Sequence, residues 1–146
     1  MKSAYRVLAL LIALGVAVQA ASVAFGWFQV ISDVDAGGVF TSATELNAGH
    51  ELHGIVGMMV IPALALVLLL VSFFAHLRGG VRWAVIILAL VVVQITLAFV
   101  AFGAPAVGAL HGLNALAILG TSLTASRLGS QPQAVDAAAP VSRASA

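Results

Sequence analysis

The sequence contains no cysteine. Disulfides, thiolate metal sites, iron–sulfur clusters and cysteine nucleophiles are therefore excluded outright. Charge is nearly as scarce. Six Lys and Arg and five Asp and Glu make only 8% of 146 residues charged, against about a quarter in a soluble domain. Such a chain cannot cover a globule with polar surface. No basic cluster suits nucleic acid, so no nucleic-acid partner is expected. Phosphate loops, dinucleotide fingerprints and nucleophile elbows are also missing, and no catalytic motif stands in their place.

What the chain has is apolar length, with 62% hydrophobic residues. A bilayer crossing needs about 20 mostly apolar residues. Four stretches qualify, near residues 5–31, 50–75, 81–102 and 105–128. The expected fold is all-α: an integral membrane four-helix up-down bundle over residues 1–128, with the lipid bilayer as its solvent. Residues 129–146, rich in Ala, Ser, Pro and Gln, read as a disordered cytoplasmic tail.

Local signals refine the spans. Pro105 suits the first turn of the last helix, where its missing N–H costs nothing. Pro62 should kink the second helix and free the carbonyl of Met58. Ser42-Ala43-Thr44-Glu45 has the pattern of a capping box ahead of that helix. Val18-Gln19-Ala20 resembles a signal-peptidase site, but the apolar run continues to Ile31, longer than a signal peptide's core. The first segment is therefore read as a span.

All six basic residues (Lys2, Arg6, Arg78, Arg82, Arg127 and Arg143) fall on one side of the four spans. That side is cytoplasmic by the positive-inside rule, which puts both termini there. Asp33, Asp35, Glu45 and Glu51 fall on the other side. Trp27 and Trp83 sit at opposite interfaces, as an aromatic belt requires.

A weak repeat runs through the chain, as if one helical hairpin were used twice. Gln19 and Gln94 occupy similar places in the first and third helices. Leu52-His53-Gly54 and Leu110-His111-Gly112 do so in the second and fourth. Like hairpins related by an axis along the membrane normal are a known membrane architecture. The repeat pairs His53 with His111 at similar depth. Gly57 and Ala115, four residues further on, lie on the same helical faces. Small residues there leave room for a neighbouring helix or a flat ligand.

Two histidines facing each other across a bundle suit bis-imidazole ligation of haem b, with His53 and His111 as the iron ligands. Asn114 or a backbone carbonyl would accept from the second ring nitrogen. His50 would meet a propionate, since the outer side has no Lys or Arg. Two other readings stay open. His50, His53, His111 and Glu51 would suit zinc or copper at the outer face. Alternatively, both histidines are structural and the protein is a cofactor-free anchor or accessory subunit. Met58 and Met59 are alternative ligands, but read first as apolar filler. Gly15, Gln19, Ser22 and Gly26 form a small, polar stripe suited to close helix packing; the functional alternative is a quinone or haem edge near Gln19 and Gln94. His76, beside Arg78, reads as a solvated end-group, so one haem at most is expected.

The four spans, with His53 in the second and Leu110-His111-Gly112-Leu113-Asn114 in the fourth, resemble a small bacterial family of four-helix membrane proteins. The resemblance covers roughly residues 5–127. The arrangement is also similar to cytochrome b561 and to one half of haem A synthase, which hold haem between transmembrane helices through histidine pairs. That similarity implies an axial role for His53 and His111, electron transfer or haem handling, a bacterial plasma-membrane location, and a redox partner or a second copy of the chain as partner. Two departures matter. A two-haem b561 site needs a second histidine pair, and only His76 remains. The outer acid of a haem A synthase half has no clear match in Glu45 or Glu51.

Overall fold

The computed structural model describes residues 1–41 and 43–128. The expected tail at 129–146 and Ser42 lie outside the described residues. The fold is all-α, as the apolar runs require. Among the described residues four helices are long and apolar enough to cross a membrane: α1, Lys2–Asp35; α2, Ala48–Ala75; α3, Gly80–Gly103; and α4, Val107–Leu128. At 1.5 Å per residue the 34 residues of α1 reach about 51 Å, more than a hydrocarbon core of about 30 Å. The end carrying Asp33 and Asp35 therefore projects past the apolar layer.

The helices form a ring. α1 packs against α2 and α4, and α3 packs against the same two neighbours. α2 and α4 thus face each other on one diagonal, and α1 and α3 on the other. The hydrophobic core occupies only half of the ring's depth. Tyr5, Ala9, Ile12 and Val16 meet Ile61, Ala65, Leu68 and Ala75, with Ala84, Ile87, Val91, Ile118 and Ala125. All lie toward the end that carries Lys2, Arg6, Arg78, Arg82 and Arg127. The Tyr5 hydroxyl closes this end by donating to the Gly80 carbonyl at 2.9 Å.

In lipid, apolar surface gives helices no reason to associate, so close packing of small residues must do so. The α1–α2 contact shows this. A Cβ on Gly49 would lie 2.5 Å from the Gly26 nitrogen and 2.6 Å from the Ser22 carbonyl oxygen. Gly26 also faces Asn47 and His50, while Gly15 faces Ile61. Three members of the α1 stripe, Gly15, Ser22 and Gly26, are packing residues as expected.

Three local details depart from expectation. The N-cap of α2 is Asn47, whose Oδ1 accepts the His50 backbone N–H at 3.1 Å. Its Nδ2 also donates to the Gly26 carbonyl at 2.8 Å, so one side chain both caps α2 and ties it to α1. The expected capping box begins at Ser42, outside the described residues; beside it the Thr44 N–H donates to the Thr41 carbonyl at 3.0 Å. α4 starts at Val107, with Pro105 in the turn before it, where the Val107 N–H donates to the Ala104 carbonyl at 2.9 Å. Ahead of Pro62, α2 contains a π-helical turn, Val56–Val60, closed by the Ile61 N–H donating to the Val56 carbonyl five residues back. The wider turn accommodates the missing proline donor by adding a residue.

Candidate functional site

Beyond the core, toward the acidic end, the four helices do not close on one another. They leave a cavity of about 490 Å³, within the range of small-molecule and cofactor sites. His53, His111, Gln19 and Gln94 line it, among apolar and small residues that include Gly57 and Ala115. The structure thus brings the two expected histidines to one cavity, from the diagonal pair α2 and α4.

Both rings are anchored in the same way. His53 Nδ1 lies 3.1 Å from the backbone carbonyl oxygen of Gln19. His111 Nδ1 lies 3.1 Å from that of Gln94. A carbonyl can only accept, so each Nδ1 carries the proton and each Nε2 holds the lone pair. This is the tautomer of a histidine that ligates through Nε2, and a carbonyl behind Nδ1 is its usual support. The ring centroids are 6.3 Å apart with an angle of 53° between planes. The backbone next to each ring is bare. Gly54 and Gly112 line the cavity, and a Cβ on either would meet nothing within 4 Å.

The side chains of the two glutamines behave differently. Gln19 Nε2 donates to the His53 carbonyl at 3.0 Å. Gln94 Nε2 lies 3.0 Å from His111 Nε2, which accepts from it. The amide of Gln94 is fixed by Asn114, whose Nδ2 donates to Gln94 Oε1 at 2.7 Å and to the Leu90 carbonyl at 2.9 Å. Gly57 leaves space for Gln19, whose Oε1 would lie 3.2 Å from a Cβ at that position.

Not every expected site residue reaches the cavity. Of the two acceptors offered for the histidines' Nδ1, the backbone carbonyl serves. Asn114 instead holds Gln94, because as a donor it complements the Gln94 and Leu90 oxygens. His50 does not line the cavity. Its ring packs edge-on against Trp27, with centroids 5.2 Å apart, and Nε2 is buried without a partner. His50 is instead held against α1, where its ring meets Trp27 and Gly26. Among the described residues no three His, Asp or Glu side chains come together in a way that would hold a metal ion. His76 is the left-handed cap of α2, with φ of 50° and Nδ1 2.9 Å from the Phe74 carbonyl oxygen. Among the described residues no Lys or Arg lines the cavity.

Sequence reasoning missed the contact of Gln94 with the His111 ring. It also missed Phe99 and Phe102, which line the cavity from α3, Phe102 being 87% exposed. The matching places of Gln19 and Gln94 were the available signal. Comparison of the chain with protein-family models, with curated proteins and with solved structures gives no match.

Proposed function

We propose that this protein binds one b-type haem between its two helical hairpins and acts in electron transfer or haem handling. The observation that carries this reading is the matched pair of anchored rings. His53 and His111 each give Nδ1–H to a glutamine carbonyl of the partner helix and keep the Nε2 lone pair for a ligand in the same cavity. With metal–nitrogen bonds of about 2 Å, and about 1.1 Å from Nε2 to ring centre, two imidazoles on opposite sides of one iron have centres about 6.2 Å apart. The rings stand 6.3 Å apart, close enough for both to reach one ligand in the cavity. The 53° between planes is no obstacle, since each plane need only contain its own metal–nitrogen bond.

Donor count favours haem over zinc or copper. Haem brings four pyrrole nitrogens and asks the protein for two more. A closed zinc site asks for four protein donors, and among the described residues the cavity gathers two histidines with no third His, Asp or Glu. Bound haem would supply a one-electron couple whose potential follows axial ligation and burial. The chain would hold the rings through the Gln19 and Gln94 carbonyls and give a flat ligand bare backbone at Gly54 and Gly112. Apolar walls would exclude water. Freeing His111 Nε2 from Gln94 costs about 0.5–1.5 kcal/mol, a small sum beside a metal–ligand bond. The same reading puts the protein in a bacterial plasma membrane with both termini cytoplasmic, supported by five described basic residues at one end of the bundle.

A second reading has one observation in its favour. Among the described residues the cavity has no Lys or Arg to meet propionates, and an uncharged quinone, held by Gln and His side chains, needs none. A visible spectrum separates the two. Purified protein given hemin should show a sharp Soret band and a reduced α band of a low-spin species. His53→Ala and His111→Ala should each abolish the low-spin species. Its survival in both variants would remove the axial assignment, and absence of any Soret band would remove haem.

A further inference from the structure

We infer that Gln94 makes the two histidines unequal: His53 is the standing ligand, and His111 is an exchangeable one whose place a small diatomic ligand can take. This rests on the haem reading above and deepens it.

The inequality is written in one position of each hairpin. Three residues after His111 stands Asn114; three residues after His53 stands Val56. Asn114 grips Gln94 Oε1 at 2.7 Å and the Leu90 carbonyl at 2.9 Å. That grip turns the Gln94 Nε2 donor onto His111 Nε2 at 3.0 Å. Val56 has no amide to offer, and Gln19 sends its Nε2 to the His53 backbone carbonyl instead. Metal binding by His111 must therefore displace a fixed amide, whereas no such amide lies on His53 Nε2. A ligand whose competent state is only partly populated binds more weakly in proportion to that population. Competition by Gln94 thus weakens one axial bond and leaves the other intact. Carbon monoxide, which binds ferrous haem only where an axial position can open, is the probe for that difference.

The first arm needs no haem. In detergent, protein labelled with 15N at histidine should show the Nδ1–H tautomer for both His53 and His111, with distinct Nε2 resonances. Gln94→Leu should bring His111 Nε2 to the position of His53 Nε2; an unmoved resonance would overturn the grip of Gln94. The second arm adds hemin, dithionite and carbon monoxide. The wild-type protein should bind carbon monoxide with replacement of its bis-histidine spectrum by that of the carbon monoxide adduct. Gln94→Leu should bind it about tenfold more weakly, because His111 no longer has a competing partner. Asn114→Ala, which leaves Gln94 in place but unanchored, should move the same way and serves if the Leu variant does not fold. His111→Ala should keep high-spin haem and bind carbon monoxide readily, whereas His53→Ala should retain much less haem. Equal carbon monoxide affinity in wild type and both Gln94-network variants, or identical behaviour of the two histidine variants, would overturn the inference. A wild-type protein that gives no Soret band with hemin instead overturns the haem reading, and the exchangeable-ligand inference with it.

Discussion

Glycine does two opposite jobs in this chain, and single substitutions should separate them. Gly49 lies where α1 and α2 meet backbone to backbone, with the Gly26 nitrogen and the Ser22 oxygen at 2.5 and 2.6 Å from the Cβ it lacks. Backbone cannot move aside as a side chain can. Gly49→Ala should therefore force the helices apart, at a cost of about 1–3 kcal/mol, read as a lower unfolding temperature in detergent. Gly112 borders open space. Gly112→Leu should leave the unfolding temperature nearly unchanged while filling the cavity, so the Soret band formed with hemin should shrink. An equal thermal loss in both variants would contradict this division. The histidine pair was legible in the sequence because His53 and His111 carry like neighbours. The acceptors behind them were not, since every helical residue has a carbonyl and only packing decides which ones a ring can reach. Asn114 was legible as a polar partner for the site but not as the grip on Gln94, because its target lies on another helix.

At the scale of the element, α2 is held separately on either side of its π turn. Asn47, Gly49 and His53 fix its outer part to α1, while Ile61, Ala65 and Leu68 fix its inner part in the core. Between them, Val56–Val60 carries one residue more than an α-helix would use. Met59 in that turn is 67% exposed, so removing it sacrifices little packing. Deleting Met59 should return the segment to α-helical spacing without rotating His53 away from the cavity. Pro62 would then sit inside regular helix, at a cost of about 3 kcal/mol. The deletion alone should lower the unfolding temperature, and adding Pro62→Ala should recover most of the loss while the haem spectrum persists. A Pro62→Ala change that fails to rescue the deletion would show that the extra residue has another role. The spans were legible because about 20 apolar residues leave few alternatives. The π turn was not: Pro62 announces a disturbance, but a kink and a bulge look alike until both ends of the helix are fixed.

The whole molecule is a bundle with two unlike halves. The inner half is packed around Tyr5, Ile12, Leu68 and Ile87, and the outer half opens around His53 and His111. Its depth axis is marked by charge. Lys2, Arg6, Arg78, Arg82 and Arg127 stand at the packed end, and Asp33, Asp35, Glu45 and Glu51 at the open end. This axis was legible, because the order of charges along four spans already sorts them to two sides. That the cavity occupies only the outer half was not, since it depends on where the small residues of four helices coincide. Basic residues near span ends are retained on the cytoplasmic side. The packed end should therefore face the cytoplasm and the cavity should lie toward the outer face. Fusions of alkaline phosphatase and of a cytoplasmically active fluorescent protein test this in living bacteria. Joined after Val39, between α1 and α2, the phosphatase should be active and the fluorescent protein dark. Joined after Gly79, between α2 and α3, the pattern should reverse. Replacing Arg78 and Arg82 with Ala should weaken the contrast at Gly79, because those two residues anchor the inner loop. Equal signals at the two junctions would overturn the four-span topology, and a clean reversal would put the cavity on the cytoplasmic side.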